Sequence, residues 1–127
     1  MSELCILVRT APYSKINAAE AVRHINGAVN NNVKTSVVFV DGVVYCLKDN
    51  QDMGDTGFTS ISALIKQIIG TAKMLKEDDP DILNIYTHGP SLDASGLKAD
   101  DALEGFEIIN DIDMARVIGS AKMLMIF

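Results

Sequence analysis

The sequence has no long apolar run and no excess of basic residues. A helix that crosses a bilayer needs about 18 consecutive apolar residues, and the apolar runs here have only the length of a strand. The 127 residues contain 11 Lys and Arg against 17 Asp and Glu, and a net charge of −6 leaves no basic surface for nucleic acid. We therefore expect neither a membrane nor a nucleic acid as a direct partner.

Cysteine is scarce too, and Cys5 and Cys46 form no CxxC pair. Both lie among apolar neighbours, which favours buried free thiols. Residues 1–3 lead directly into a short apolar run, without the basic start, longer apolar segment and cleavage site of a signal peptide. We therefore expect a cytoplasmic protein, in which a disulfide would be unusual.

What the chain does contain is 48% apolar residues, enough for a single domain, 1–127, with a buried core. Apolar runs of strand length alternate with segments of helical spacing, which predicts parallel strands covered by helices on both faces. We expect a flavodoxin-like, three-layer α/β/α fold whose mainly parallel sheet has about five strands. The predicted strands are residues 4–8, 33–40, 82–86, 106–109 and 123–127. Residues 43–47 are a short helix or a strand extension, and residues 48–57 are a loop.

Helix boundaries and buried faces follow from caps and spacing. The first helix spans residues 15–30, is capped by Ser14 and buries Ile16, Ala19, Val22, Ile25 and Val29. The second is capped by Thr59 or Ser60 and buries Ile61, Leu64, Ile65, Ile68, Ala72 and Leu75, before a charged exit at residues 76–80. A short helix starts near Ser91. The last is capped by Asp111, runs to about residue 121 and carries Ile112, Ala115 and Ile118 on one face.

Candidate binding residues lie where parallel strands end, because α/β proteins bind ligands beyond the carboxyl ends of their strands. Residues 9–13, 41–43, 86–89 and 110–111 should meet there. We take six candidates from these stretches and the helix that follows: Thr10, Asp41, Gly42, Thr87, Gly89 and Ser91. The sequence has no GxGxxG, no P-loop and no metal-ligand spacing, so neither a cofactor nor a metal is expected.

His88 stands at the end of the third strand, directly before Gly89 and Pro90. Its imidazole either hydrogen-bonds a backbone carbonyl or water, or acts as a proton shuttle or anion contact at the following helix N-terminus. No nucleophile is evident beside it, since Ser91 is interpreted as a helix cap. Cys46 is the other candidate for sulfur chemistry, although its apolar flanks favour a buried thiol.

Several local motifs occur in a characteristic order. Thr10-Ala11-Pro12 follows the first strand and precedes an alanine-rich helix, and Val37-Val38-Phe39-Val40 runs into Asp41-Gly42-Val43. Tyr86-Thr87-His88-Gly89-Pro90-Ser91-Leu92 is followed by Gly96-Leu97, and an apolar strand closes the sequence. Together these resemble the DsrE/DsrF/DsrH (TusD/TusC/TusB) family along essentially the whole chain. The stretch that runs from Val37 to Val43 is similar to the FxxDGV motif of its DsrF/TusC-like branch. The stretch from Tyr86 to Leu97 is similar to the C-x-x-S-L-x-x-x-G-L motif of the same branch.

The resemblance implies a flavodoxin-like fold, cytoplasmic sulfur transfer and small oligomers, either homotrimers or hexamers with related subunits. Catalytic members of the family carry a persulfide on a cysteine at the end of the third strand. Counting back from Gly96, that position is His88, and imidazole does not hold a sulfane sulfur as a thiol does. The resemblance therefore implies an accessory, DsrF-like subunit.

Three hypotheses remain open at this point. The first is an accessory sulfur-relay subunit that forms a homo-oligomer (trimer or hexamer) or a hetero-oligomer with DsrE/DsrH-like subunits. Six methionines and a high apolar fraction in so short a chain favour such association. The second is a sulfurtransferase that uses Cys46 as its sulfur acceptor. The third is a module that binds a small anion or nucleotide near His88 and Asp41.

Overall fold

The computed structural model describes residues 2–10, 16–47, 61–75, 81–97 and 105–127, with the backbone alone at 45–47. The elements in chain order are β1 (Leu4–Val8), α1 (Asn17–Asn30), β2 (Thr35–Phe39), a 3-10 helix (Asp41–Leu47), α2 (Ile61–Leu75), β3 (Leu83–His88), α3 (Gly89–Ala94), β4 (Glu107–Ile109), α4 (Asp111–Ser120) and β5 (Met123–Ile126). The five strands form one parallel sheet in the order β4-β3-β2-β1-β5. The predicted α/β fold with a parallel sheet of about five strands is confirmed.

The two faces of the sheet carry different layers. Alternate residues of β1, β2 and β3, such as Ile6, Val37 and Ile85, join the buried cluster that α1 and α2 complete. Right-handed crossovers place α4, which connects β4 at one edge to β5 at the other, on the opposite face. We call these the α1/α2 face and the α4 face. All five residues of β2 are buried, as expected of a central strand covered on both sides.

The chain reverses its direction across the sheet at β1. Strands β2, β3 and β4 are added in turn on one side of β1, and β5 returns to the other side. The carboxyl ends of β2, β3 and β4 therefore lie side by side at the same end of the sheet. Residues from each of these ends, and from the helices that follow them, are brought within contact distance there.

The predicted buried face of α1 needs correction at its beginning. The helix starts at Asn17, and Ile16 before it is 74% exposed. Ala19 is exposed as well, whereas Ala18 and Ala21 are buried with the remaining predicted residues. The prediction therefore fails only at the start of the helix, where alanines at positions 18, 19 and 21 leave open which of them face the core.

The apolar face predicted for α4 is not buried. None of its residues is buried, and Ile112 is 65% exposed. Amphipathic spacing identifies an apolar stripe, but it does not say what covers that stripe. In α2, by contrast, Ile61, Ile65, Ile68 and Ala72 are buried as predicted, and Leu64 and Leu75 pack against the core.

Several predictions fall on residues outside the described part of the chain. These are the caps Ser14, Thr59 and Ser60, the loop 48–57 and the charged exit 76–80. The alternatives for residues 43–47 are resolved, since the segment is a 3-10 helix and not an extension of β2. Among the described helices, none has the length and apolar character needed to cross a membrane.

Candidate functional site

His88 is placed by the junction between β3 and α3. It is the last residue of β3, and its extended backbone (φ −69°, ψ 113°) also makes it the N-cap residue of α3. Because side chains alternate along a strand, the imidazole lies on the α4 face together with Tyr86. Pro90 fits the first turn of α3, where a missing N–H breaks no helical hydrogen bond.

Both ring nitrogens of His88 have hydrogen-bond partners. Nδ1 lies 2.6 Å from Ser91 Oγ, and Nε2 lies 2.5 Å from Asp111 Oδ1. An ionised carboxylate only accepts hydrogen bonds, so the neutral imidazole carries its proton on Nε2 and Nδ1 accepts from the Ser91 hydroxyl. The Ser91 oxygen in turn accepts from the backbone N–H of Asp41 at 2.9 Å. We call this chain, from Asp41 N–H through Ser91 and His88 to Asp111, the His88 network.

The His88 network joins three parts of the chain that are distant in sequence. It connects the 3-10 helix after β2, the end of β3 with the first turn of α3, and the start of α4. Its inner part is nearly closed to solvent, with the His88 side chain 12% exposed and Ser91 7% exposed. The Asp111 side chain is 76% exposed. The geometry is that of a structural clamp with one carboxylate in water.

Two predicted helix caps are wrong, and both errors concern this network. Ser91 lies inside α3, and its hydroxyl bonds to His88 and to the N–H of Asp41. The cap of α4 is Asn110, whose Oδ1 accepts from the N–H of Asp113 at 2.8 Å. Since Asn110 fills the capping role, the Asp111 carboxylate is available to His88. In both cases several nearby polar residues could act as the cap, and the sequence alone does not show which of them does.

The end of α3 fixes the network from its other side. The N–H of Gly96 bonds to Asp93 O and that of Leu97 to Leu92 O, both at 3.2 Å. This is a Schellman motif, and the positive φ of Gly96 (72°) is the conformation it requires. Leu92 is buried and Leu97 packs against the core, so the short helix is anchored at both ends.

The backbone and the side chain of Asp41 have different partners. Asp41 adopts a left-handed conformation (φ 58°), which aspartate tolerates better than most residues. Its N–H belongs to the His88 network, whereas its carboxylate points toward Arg9, with Asp41 Oδ2 3.8 Å from Arg9 Nε. Both side chains are 60% exposed, so this ion pair contributes little to stability.

An open pocket of about 400 Å³ lies beside the network. Its described lining is Asp41, Gly42, His88, Pro90, Ser91, Ala94 and Ser95. The charged group in the described lining is the carboxylate of Asp41, whose partner is Arg9 at 3.8 Å. This pair gives the pocket no net positive charge with which to attract a small anion or nucleotide.

The remaining candidates are spread around the network. Thr87 precedes His88 in β3, so its side chain lies on the α1/α2 face, where its buried Oγ1 has no hydrogen-bond partner in the described structure. Gly89 is close to β4, since a Cβ there would lie 3.2 Å from Ile108 Cγ2. The described hydrogen bonds do not join Thr10 to the network. The structure thus brings together Asp41, Gly42, His88, Gly89 and Ser91, whereas the Thr87 side chain lies on the other face of the sheet.

Neither cysteine lies at the end of β3. Cys5 is fully buried in β1, and its desolvation raises the thiol pKa to about 11. A thiol with that pKa is protonated at neutral pH and is a poor nucleophile. Cys46 belongs to the 3-10 helix that begins at Asp41, but its side chain is outside the described part of the structure.

Tyr86 lies on the same face of the sheet as His88, and its phenol is protonated at neutral pH. Burial, together with the negative charges of Glu107 and Asp81, raises the pKa of the Tyr86 phenol.

In residues 2–10, 16–47, 61–75, 81–97 and 105–127, no three His, Cys, Asp or Glu side chains are arranged to hold a metal ion.

Sequence reasoning did not select Asp111 and Arg9 as site residues. Both lie in stretches that were expected to meet at the carboxyl ends of the strands, and that expectation was the available signal. Asp111 was assigned to helix capping instead, which removed it from the candidates. Arg9 was not singled out because an exposed arginine after a strand is common on protein surfaces.

Comparison with known proteins agrees with the predicted family. The sequence profile described as "DsrE/DsrF-like family" matches residues 2–127. Two proteins of Vibrio vulnificus, from strains YJ016 and CMCP6, are each named "Protein TusC homolog". Each is 30% identical to this chain over 127 residues, covering 100% of both sequences.

Two solved structures share the fold. The ychN protein from E. coli superposes with a TM-score of 0.81 at 16% identity, covering 100% of both chains. A protein of unknown function from Methanobacterium thermoautotrophicum gives a TM-score of 0.62 at 15% identity, again with full coverage. At such low identity these structures support the architecture alone. The match to the family profile and to the TusC homologues carries the assignment: this chain belongs to the DsrE/DsrF-like family and falls with its TusC-like branch.

Proposed function

We propose that this chain is an accessory, TusC-like subunit of a cytoplasmic sulfur relay, of the sulfur oxidation or tRNA thiolation type. In this proposal the single domain, residues 1–127, assembles with copies of itself or with DsrE/DsrH-like subunits. The sulfur is carried by a cysteine of a related subunit. This chain supplies a binding surface and keeps the family's local backbone shape at the end of β3, but it forms no persulfide.

The observation that carries the proposal is the state of His88. The family's persulfide position is the end of the third strand, and His88 occupies it here. Both imidazole nitrogens are engaged, Nδ1 with Ser91 and Nε2 with Asp111, and 12% of the side chain is exposed. A side chain held in this way supports the local fold. It offers neither a sulfur atom nor a free lone pair to an incoming persulfide.

The two cysteines give further support. Persulfide transfer requires a thiolate, because the thiolate is the nucleophile. Cys5 does not meet this requirement, since it is fully buried and has a pKa raised to about 11. Sulfur chemistry on this chain would therefore depend on Cys46 alone, which is the sulfurtransferase alternative.

The test is to load the folded chain with sulfane sulfur from a low-molecular-weight persulfide and to count sulfur atoms by intact-mass spectrometry. Wild type, Cys46→Ser and His88→Cys are compared. The proposal expects no stoichiometric sulfur on the wild-type chain and none on the Cys46→Ser chain. His88→Cys places a thiol at the family's position and serves as the positive control.

One sulfur atom per wild-type chain that disappears in Cys46→Ser would overturn the accessory proposal in favour of a sulfurtransferase. A nucleotide or oxyanion that raises the melting temperature of wild type, but not of Ser91→Ala, would favour the binding-module hypothesis instead. Because the described lining carries no net positive charge, this outcome is unexpected.

A further inference from the structure

The two edges of the sheet differ in their protection against pairing with another strand. At the β4 edge the strand has three residues, and Glu107 places a charged carboxylate on it. At the β5 edge, Met123 to Ile126 contains no charged residue, no proline and no glycine. Charges, prolines and very short strands are the usual means by which proteins prevent edge-to-edge association. The β5 edge has neither charged residues nor prolines.

The side chains of β5 are exposed on both faces of the sheet. Met123 is 66% exposed on the α1/α2 face, and Leu124 and Ile126 are 44% and 59% exposed on the α4 face. An edge strand that serves a single chain needs apolar side chains only where it meets its own core. Apolar side chains on both faces fit a strand that becomes central in a larger sheet.

The backbone of β5 also has hydrogen-bonding groups directed outward. The N–H groups of Met123 and Phe127 donate to β1, to Glu3 O at 3.1 Å and to Leu7 O at 2.9 Å. In a parallel ladder the direction alternates, so the N–H groups of Leu124 and Ile126 point away from β1. They form the outer edge of the sheet in the described structure, where β5 is the terminal strand.

We propose that β5 pairs antiparallel with β5 of a second copy of this chain, about a two-fold axis perpendicular to the sheet. Pairing joins two five-stranded sheets into one and covers the exposed side chains of both copies. The inference deepens the proposed function by naming the surface through which copies of this chain associate, but it rests on the edge strand alone and holds whether or not the chain serves a sulfur relay.

A second copy fits because β5 is complementary to itself. A two-fold axis perpendicular to the sheet keeps each face on the same side, so the register is centred on one residue. Centred on Met125, it sets Leu124 opposite Ile126 of the second copy, and centred on Leu124, it sets Met123 opposite Met125. Every such pair is apolar. Pairing β5 with the β4 edge of another copy would instead bring the Glu107 carboxylate into the interface, and such a head-to-tail contact lacks the self-complementarity of the β5 pair.

The test is sedimentation equilibrium of the full chain at micromolar concentration, with variants that alter the edge. Leu124→Lys puts a charge on it, and Leu124→Pro removes an outward N–H without removing a bond to β1. Met74→Lys is the matched control, because Met74 is 78% exposed on α2, away from β5. We expect an even-numbered assembly for wild type and Met74→Lys, and at least tenfold weaker association for both Leu124 variants.

Hydrogen exchange gives a second readout that does not depend on a substitution. The amides of Leu124 and Ile126 should exchange more slowly as the protein concentration rises, while exposed amides of α4 should not change. The proposal is overturned if wild type is monomeric throughout the micromolar range. It is equally overturned if both folded Leu124 variants, checked by circular dichroism, associate as wild type does.

Discussion

Replacing Ser91 with alanine tests the interpretation of His88 as part of a structural clamp. The hydroxyl of Ser91 donates to His88 Nδ1 at 2.6 Å and accepts from the N–H of Asp41 at 2.9 Å. Alanine removes both bonds and leaves their two partners without that hydroxyl. Ser91 is 7% exposed, so water does not readily take its place.

The expected cost follows from these contacts. Each hydrogen bond contributes about 0.5–1.5 kcal/mol net, and a buried group left without a partner adds to the cost, so Ser91→Ala should lower the free energy of unfolding by about 2–3 kcal/mol. Asp111→Asn should cost less, about 0–1 kcal/mol, because the Asp111 side chain is 76% exposed and water replaces the lost contact. The structure thus predicts that loss of the His88–Ser91 hydrogen bond lowers the free energy of unfolding more than loss of the His88–Asp111 hydrogen bond.

Urea denaturation followed by circular dichroism measures both values. The slope of free energy against urea should stay constant, so that the midpoint shift reports stability. Ser120→Ala is the matched control: the Ser120 hydroxyl is exposed and, in the described structure, bonds to Val117 O of its own helix, so its loss should cost within about 0.5 kcal/mol. A Ser91→Ala cost as small as that of Ser120→Ala, or smaller than that of Asp111→Asn, would refute the clamp.

Further predictions concern packing and charge. Gly89→Ala should gain nothing or destabilise the fold by up to about 1 kcal/mol, because its Cβ would lie 3.2 Å from Ile108 Cγ2 and 3.4 Å from the backbone O of Ile109, whereas Gly119→Ala, with nothing within 4 Å, should stabilise α4 by about 0.5–1 kcal/mol; thermal unfolding separates them. Burial raises the Cys5 pKa from 9.0 to about 11, so the unfolded chain loses this proton first and stability should fall between these pH values by up to about 3 kcal/mol; the loss should be smaller in Cys5→Ala, where the raised pKa of Tyr86 still contributes. Arg9→Ala should change the unfolding free energy by less than about 0.5 kcal/mol, because Arg9 and Asp41 form an exposed pair at 3.8 Å.

Much of the fold was predictable because buried parallel strands are written as continuous apolar runs. Residues 4–8 form β1 as predicted, and residues 35–39 form β2 within the predicted range. Alternation of strand and helix then gives a parallel sheet, and right-handed crossovers place the helices. The strand order and the exposed faces of α4 and β5 were not predictable, since they depend on which surfaces meet and not on the periodicity of any one segment.

The site was predictable as a location but not as a network. Topology placed His88, Asp41 and Asp111 at neighbouring strand ends, and they are neighbours. The partners of Ser91 were missed because a serine in the first turn of a helix usually serves as its cap. The role of Asp111 was missed for the same reason, since Asn110 beside it is an equally good cap. Such choices are decided by distances of a few ångströms between segments far apart in sequence.

The central claim is that this chain serves a sulfur relay without carrying sulfur, and a chain without thiols tests it most directly. In Cys5→Ala/Cys46→Ser no persulfide can form, while the His88 network is left intact. Sulfur transfer through the complete relay complex is then measured with this variant in place of wild type. The account predicts an unchanged transfer rate, provided that circular dichroism shows a folded chain. Loss of transfer by the folded variant, restored by returning Cys46 alone, would contradict it.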